Sequence, residues 1–136
     1  MPKPAPVPDE VSKPLWDACN ERRLVMQNCK ACNLLQYPPQ ALCDNCGSAD
    51  NLEWRQMSGR GKIHGYTVMY DCRVRSLQED QPFNIALVEL AEDPAILMYS
   101  HLPGVPVDEV PVGADVKVTF EETSTGQLVF EWELAG

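Results

Sequence analysis

The second half of the chain alternates hydrophobic and polar residues with the two-residue period of half-buried β-strands. Valine, isoleucine, threonine and aromatic residues, which favour a pleated backbone, recur through these segments. The alternation starts after a glycine-rich break at 59–61 and predicts five strands, at 62–70, 83–90, 95–102, 115–122 and 128–134. Polar or proline-rich connections separate them, at 73–82, 92–94 and 103–111. The pattern therefore indicates an all-β domain.

The arrangement of the connections narrows the choice of β architecture. The predicted third and fourth strands are joined by a long, irregular stretch that contains three prolines. Five strands of this length with one long connection suit a small closed barrel, and we favour the five-stranded Greek-key OB-fold barrel. A small β-sandwich is the alternative that the pattern leaves open.

Two CxxC pairs lie ahead of this domain, Cys29 with Cys32 and Cys43 with Cys46. A two-residue gap lets both sulfurs of a tight turn reach one ion, and thiolates suit zinc. Gly47 follows the second pair and suits the positive φ that a metal-binding turn often needs. No histidine lies close enough in sequence to complete a mixed site, so we predict a closed, rubredoxin-like zinc ribbon with a structural role. Disulfides or an iron centre are the alternatives.

A short amphipathic segment at 9–21 precedes the ribbon and predicts a helix. Ser12 is a candidate N-cap, and Pro14 is placed in the first turn, where its missing N–H does no harm. Three apolar side chains share one face at helical spacing: Leu15, Trp16 and Cys19. Because this stripe is short, the helix must pack on something else, either the chain's own ribbon or a partner protein.

These segments divide the 136 residues into a Pro-rich tail with the helix (1–21), the zinc ribbon (22–52) and the OB-fold domain (53–136). The first eight residues contain four prolines and no apolar stretch, so we expect no signal peptide. No apolar run is long enough to span a membrane. Together with thiolate zinc ligands and two further free cysteines, Cys19 and Cys72, this predicts a cytoplasmic protein without a membrane partner.

The net charge of −9 argues against a nucleic-acid-binding protein, because such proteins neutralise phosphates with Lys and Arg. The charge is also uneven. Residues 1–75 carry 10 Lys/Arg and 8 Asp/Glu, whereas residues 76–136 carry one Lys and 12 Asp/Glu. These balances of +2 and −11 give the total of −9. We therefore expect any anionic ligand to meet the first half of the chain.

The sequence contains no constellation of residues that indicates catalysis by this chain. His64 alternates with apolar neighbours in a predicted strand, and His101 lies at a strand end without a nearby nucleophile or paired carboxylate. Cys72 could be an activated thiolate if Arg73 lowered its pKa, but a buried free cysteine is the simpler interpretation. No serine elbow or hydrolytic metal motif is present. We predict no catalytic residue.

Taken in order, the motifs of this chain are similar to those of a known family. They run from the helix to the last third of the chain: Trp16, Arg22-Arg23, Cys29–Cys32, Tyr37-Pro38-Pro39, Cys43–Gly47, Glu53-Trp54, Ser58–Gly61, 86–90 (ALVEL) and 112–116 (VGADV). The chain resembles the acyl-CoA-associated zinc-ribbon OB-fold family, long catalogued as a domain of unknown function. The resemblance extends from about residue 11 to the C-terminus.

This resemblance implies a non-catalytic accessory subunit of a thiolase-superfamily enzyme. The implied partner is a thiolase-like catalytic subunit in a hetero-oligomer such as a heterotetramer, acting as a lipid-transfer-protein-type retro-aldolase or a thiolase on acyl-CoA, as in steroid side-chain or aromatic catabolism. The small subunit would stabilise its partner and help to form the acyl-CoA site. Two other functions remain open, a module that binds single-stranded nucleic acid and an enzyme that acts alone on a thioester.

An acyl-CoA ligand suggests which residues to consider for binding. Its phosphates need cations, and the candidates on the positive side of the charge divide are Arg55, Arg60, Lys62, Arg73 and Arg75. Apolar residues of the helix and ribbon are candidates for the surface that contacts the partner protein: Leu15, Trp16, Leu34, Leu35 and Tyr37.

Overall fold

The computed structural model describes residues 5–102 and 104–135. Residues 1–4 of the predicted tail lie outside this range. The described chain contains a helix α1, a 3-10 helix at Arg75–Asp80 and eight strands. The bounds, in chain order, are α1 Lys13–Asn20, β1 Val25–Cys29, β2 Leu34–Gln36, β3 Leu52–Gln56, β4 Arg60–Met69, β5 Phe83–Leu90, β6 Asp93–Ser100, β7 Asp115–Glu122 and β8 Leu128–Leu134.

The strands form two antiparallel sheets. A small sheet of order β2-β1-β3 carries the cysteines, and a five-stranded sheet of order β6-β5-β4-β7-β8 forms the second half of the molecule. The five-stranded sheet curls into the half-barrel of an OB fold. The predicted fold class, a mainly β chain with one N-terminal helix, a zinc ribbon and an OB-fold domain, is confirmed.

Side chains rather than a strand ladder connect the two edges of the curled sheet. The Ser100 hydroxyl at the end of β6 donates to a carboxylate oxygen of Glu131 on β8 at 2.8 Å. The same oxygen of Ser100 accepts a hydrogen bond from the backbone N–H of Trp132 at 2.9 Å. The His101 backbone N–H also donates to Glu131. These bonds satisfy polar groups between β6 and β8, for which the described residues show no ladder pairing.

The core lies on the concave side of the curled sheet and extends under the helix and the ribbon. Inward side chains of the sheet, such as Val88, Met98 and Trp132, are fully buried. Leu15 and Cys19 of α1 join the same core, with exposed fractions of 2% and 0%. Burial raises the pKa of the Cys19 thiol to about 11, so this thiol stays protonated at neutral pH. The helix therefore packs on its own chain.

Some element boundaries differ from those predicted. The helix begins at Lys13 rather than at 9, because Asp9 and Ser12 bond each other's backbone N–H groups in a turn that precedes it. Strand β6 begins at Asp93, inside the predicted acidic turn, and takes Pro94 into the edge of the sheet, where a missing N–H is tolerated. Strand β4 begins two residues early, at Arg60.

The described residues contain no helix that is both long and apolar enough to cross a membrane.

Candidate metal centre and interaction surfaces

The two CxxC pairs form turns of the same geometry. In the first, the backbone N–H of Asn33 donates to the carbonyl of Cys29 at 2.7 Å, and in the second Gly47 donates to Cys43 at 2.8 Å. Asn33 and Gly47 both have positive φ, at 55° and 74°. Asparagine and glycine are the residues that adopt this conformation at least cost, which explains why they follow the second cysteine of each pair.

The four cysteine sulfurs converge on one point. All of them lie within 4.8 Å of one another, and the sulfurs of Cys29 and Cys46 are 3.9 Å apart. Tetrahedral zinc with Zn–S bonds of about 2.3 Å requires sulfurs about 3.8 Å apart, so the donor set fits zinc. Four thiolates leave no open coordination position for a substrate or water. The predicted cofactor, zinc, is therefore supported, with a structural role.

Hydrogen bonds around the sulfurs act differently on the two cysteines of the second pair. A bond from the Ser48 backbone lowers the pKa of Cys46, but bonds with the neighbouring cysteine sulfurs outweigh it and raise this pKa to about 11. Backbone N–H groups of Cys46 and Asn45 bond the sulfur of Cys43 and lower its pKa to about 7. The side-chain amide of Asn45 donates to the sulfur of Cys32 at 3.2 Å. Such bonds stabilise a thiolate, and they link the second knuckle to the first.

The five cations proposed to bind CoA do not converge. Arg60 and Lys62 lie at the start of β4, whereas Arg73 and Arg75 lie beyond its end. Since a strand rises about 3.3 Å per residue, the ends of β4 are roughly 30 Å apart. Arg55 lies on β3 in the ribbon sheet, and all five side chains are exposed. Any phosphate site would therefore use only a subset of them.

A cleft of about 830 Å³ at one edge of the OB domain includes Arg60 and Lys62 in its lining. The rest of the lining is mostly apolar, with Leu90, Val116 and Leu134 among it. Lys62 forms an ion pair with Asp115 at 3.2 Å. Arg60 has no ion-pair partner among the described residues. The cleft thus combines an apolar lining with two cations and two acids, Glu89 and Asp115, and Arg60 is the cation that has no ion-pair partner among the described residues.

Most residues predicted to face a partner protein pack against other residues of this chain. Leu15 belongs to the core, and Leu35 packs against that core while partly buried. Trp16 stacks on Phe130 of β8 with ring centroids 6.0 Å apart, and Tyr37 contacts the same ring edge-on at 6.3 Å. Burial raises the pKa of Tyr37, helped by the nearby Cys19.

Leu34, at 46% exposed, is the member of that predicted set with the most accessible side chain. A contact between a partner and these five residues stays a prediction.

The convex face of β5 and β6 carries an apolar surface that the sequence reading missed. Its members alternate with core residues and point away from the core: Phe83, Ile85 and Leu87 on β5, and Leu97 and Tyr99 on β6. Leu87 and Tyr99 are direct cross-strand neighbours, and Tyr99 is 72% exposed. We call these five residues the convex apolar patch.

The other half of the same convex face is polar. On β7 and β8 the outward positions are mainly charged, with Val129 as an apolar exception: Lys117, Thr119, Glu121, Val129, Glu131 and Glu133. An antiparallel sheet that faces water on one side normally alternates apolar and polar residues, as β7 and β8 do. On β5 and β6 the convex face departs from that rule, because its outward positions include the five apolar residues of the patch. One signal was visible in the sequence, since 85–88 is apolar at four consecutive positions, which places apolar residues on both faces of a strand.

The three residues weighed for catalysis have structural contacts. His64 lies at a β-bulge in β4, and its Nδ1 is 2.9 Å from a carboxylate oxygen of Glu89. The ring of His101 meets Phe83 edge-on at 6.5 Å. Cys72 is 6% exposed, and its backbone N–H donates to Gln81. His64 and Glu89 thus form an exposed imidazole–carboxylate pair, whereas the observed contacts of the His101 ring and of Cys72 include no carboxylate. The absence of catalysis by this chain stays a prediction.

The sequence matches two family models in tandem, the ChsH2 rubredoxin-like zinc ribbon domain over residues 16–53 and the ChsH2 C-terminal OB-fold domain over residues 54–121. The chain belongs to the ChsH2/DUF35 family. This confirms the family that the motif order indicated. The cysteine cluster described above is the metal centre of the ChsH2-type ribbon.

Two relatives illustrate the range of the ChsH2/DUF35 family. A probable enoyl-CoA hydratase alpha subunit from Thermomonospora curvata is 32% identical over 107 residues, which are 79% of this chain and 32% of that protein. The chain thus spans about a third of that relative's length. A DUF35 domain-containing scaffold protein from Methanocaldococcus jannaschii is 26% identical over 106 residues, covering 77% of this chain and 73% of that protein.

Two solved structures are similar to the whole chain. One is a chain of the Ltp2-ChsH2(DUF35) aldolase, with a TM-score of 0.83 and 27% identity, and the match covers 97% of this chain and 100% of that one. The other is a DUF35-family protein of unknown function from Sulfolobus solfataricus, with a TM-score of 0.62 and 16% identity over 92% of this chain and 85% of that one. At this identity the second likeness concerns the fold alone.

Proposed function

We propose that this protein is a non-catalytic accessory subunit of a thiolase-like acyl-CoA enzyme, an aldolase or a thiolase, and that it binds its catalytic partner through the convex apolar patch. In this proposal the partner supplies the catalytic groups, while the zinc-stabilised chain supplies a rigid docking surface and completes the acyl-CoA site. The names of relatives support it, since they describe an Ltp2-ChsH2 aldolase, scaffold proteins and an enoyl-CoA hydratase subunit.

The observation that carries the proposal is the contrast between the two halves of the convex face. Tyr99 and Leu97 expose 72% and 36% of their surface beside the half-buried Leu87, whereas β7 and β8 present charges. An apolar half of a sheet face beside a charged half is typical of a protein-protein interface. Aromatic residues at the centre of such a surface often contribute most of the binding energy. Tyr99 is the candidate for that role.

Introducing a charge into the patch should prevent the subunits from associating. Tyr99→Glu is expected to weaken association with the co-expressed thiolase-like partner by at least about 30-fold, because a carboxylate would be buried without a counter-charge in the centre of the interface. Association is measured by isothermal titration calorimetry and by co-elution in gel filtration.

Two matched variants control for this test. Tyr99→Phe keeps the ring and should keep most of the affinity, while Val112→Glu places a carboxylate at another exposed apolar position, 59% exposed and outside the patch. If Tyr99→Glu bound the partner as tightly as Val112→Glu does, the patch would not be the docking surface. Circular dichroism of each variant confirms that the fold is intact.

The second part of the proposal concerns the ligand: the cleft beside β4 contacts the acyl-CoA. Its apolar lining suits the acyl or pantetheine chain, and Arg60 at the same site suits a phosphate. Because Lys62 already forms an ion pair with Asp115, Arg60 is expected to contribute more of the electrostatic attraction for a phosphate. Arg55, Arg73 and Arg75 lie elsewhere and are not assigned to this cleft.

Removing the guanidinium group should therefore weaken CoA binding by the assembled complex. Arg60→Ala is expected to raise the dissociation constant for CoA by about 10-fold, in line with the loss of one charge-assisted hydrogen bond. The effect should shrink at high ionic strength. Arg75→Ala removes an equally exposed arginine beyond the other end of β4 and should leave CoA affinity unchanged. Equal effects of the two substitutions would argue against the cleft.

A further inference from the structure

Two buried glutamines form the most extensive side-chain network in the described part of the ribbon. Gln27 on β1 and Gln36 on β2 are direct cross-strand partners, with exposed fractions of 6% and 9%. Polar side chains with this little exposure are costly unless their hydrogen bonds are made. Neither residue is a metal ligand, and the sequence patterns that reveal the zinc site do not point to them.

Together the two amides make five hydrogen bonds, and one of these joins them to each other. Gln36 Nε2 donates to Gln27 Oε1 at 2.6 Å. The other four reach the backbone of the segment that leads from β2 to the second knuckle: Gln27 Nε2 to the carbonyl of Gln40 at 2.8 Å, the N–H of Gln40 to Gln27 Oε1 at 2.9 Å, Gln36 Nε2 to the carbonyl of Leu42 at 3.1 Å, and the N–H of Asp44 to Gln36 Oε1 at 3.0 Å.

The location of these bonds connects them to the metal centre. Residues 37–51 contain the second pair of cysteines but no strand, so they lack the ladder bonds that hold the first pair at the end of β1. Most side chains of 38–42 are exposed and cannot anchor the segment by packing. Gln36 bonds the residues on both sides of Cys43, namely Leu42 and Asp44.

We propose that the Gln27–Gln36 pair positions the second knuckle for metal binding, with Gln36 as the principal positioning residue. The pair holds Cys43 and Cys46 near the first knuckle, so that zinc binds a partly preformed site. A ligand that is held in place loses less freedom on binding, which gives a higher affinity and slower release. Polar partners that orient metal ligands characteristically change metal affinity by about 10- to 100-fold when they are removed.

Three substitutions separate the contribution of each glutamine to zinc binding from a general loss of stability. Gln36→Met has a similar volume but removes all three bonds of Gln36, including the one to Asp44. Gln27→Met removes the three bonds of Gln27, which reach Gln40 and Gln36 but neither neighbour of Cys43, and introduces no charge. Thr123→Val is the control, because it removes a buried hydrogen bond from the hydroxyl to Gln127 in the OB domain, far from the ribbon in sequence.

The experiment measures the transfer of zinc from the full chain to a chromophoric chelator, at a temperature where circular dichroism shows each variant folded. Gln36→Met should release zinc about 10- to 100-fold faster than the original chain. Gln27→Met should show a smaller increase, because the bonds of Gln36 to Leu42 and Asp44 remain. Thr123→Val should show no increase, even if Thr123→Val lowers the melting temperature to the same extent.

Two results would overturn the proposal. One is zinc release from Gln36→Met at the original rate, and the other is an equal acceleration by Thr123→Val, which would mean that release follows general stability. If Gln36→Met did not fold, Gln27→Met compared with Thr123→Val would decide the question by the same criterion. This inference does not depend on the identity of the partner subunit.

Discussion

Replacing Cys43 by alanine is expected to abolish zinc binding and to unfold the ribbon. It should also weaken association with the catalytic partner, because the ribbon shares one core with the sheet that carries the convex apolar patch. Cys43 is buried and is one of four convergent ligands, and the remaining three thiolates would leave the ion open to water and chelators. Structural zinc sites contribute about 10–16 kcal/mol to folding in small zinc domains, and the second knuckle has no strand of its own to replace that energy.

The expected result can be followed separately in the two halves of the molecule. Zinc content by mass spectrometry should fall to zero, and hydrogen exchange should become fast across 25–56. Strands β5, β7 and β8 should lose part of their protection, because Leu24, Val25 and Met26 share one core with the OB sheet. Stripping zinc from the original chain with a strong chelator should reproduce this pattern, and adding zinc should reverse it.

Cys72→Ala is the matched control, since Cys72 is also buried but lies outside the metal site. It should keep both zinc and partner binding. A zinc-free Cys43→Ala protein that still bound and activated the partner would contradict the view that the ribbon is needed for assembly.

Regular alternation made several strands predictable in detail. Strands β5, β7 and β8 have the bounds expected from the sequence, because each places one clear set of apolar residues towards a single core. The zinc ligands were equally predictable, since the CxxC spacing is itself the geometric requirement. Both features are local in sequence, and the information that defines them lies within a few residues.

Features that depend on distant residues were not predictable in this way. Strand β4 starts at Arg60 because Gly61 lets the backbone of β5 come close, and a Cβ at Gly61 would lie 2.5 Å from the carbonyl oxygen of Glu89. The bulge at His64 likewise exists only in relation to β5. Glycine and histidine at these positions carry no pattern that reveals their partners.

The partner-facing residues illustrate a deeper limit. An apolar stripe on a short helix has the same pattern whether it meets its own core or another protein. The sequence pattern therefore predicts Leu15 and Trp16 at the surface that contacts the partner protein. In the structure Leu15 is buried and Trp16 stacks on Phe130. The convex apolar patch became visible only once the sheet showed which face of β5 is turned away from the core.

Phe130 holds the helix, the ribbon and the OB sheet together, and its removal should be strongly destabilising. It lies on β8, is 9% exposed, and contacts two aromatic rings that come from different elements. Trp16 of α1 stacks on it with an interplanar angle of 7°, and Tyr37, next to β2, meets it at 75°. Phe130→Ala should lower the free energy of unfolding by about 3–5 kcal/mol.

Unlike the loss of Cys43, this change should leave the zinc site occupied, because the hydrogen bonds that shape the two knuckles do not involve the aromatic cluster. The measurement is urea unfolding followed by tryptophan fluorescence, with zinc content determined on the folded variant. Val129→Ala changes the neighbouring position, which points away from the core, and should lower the free energy of unfolding far less.

A double-mutant cycle of Trp16→Ala with Phe130→Ala should show a coupling energy of about 0.5–1.5 kcal/mol. Strictly additive effects would mean that the stacked pair does not fasten the helix to the sheet.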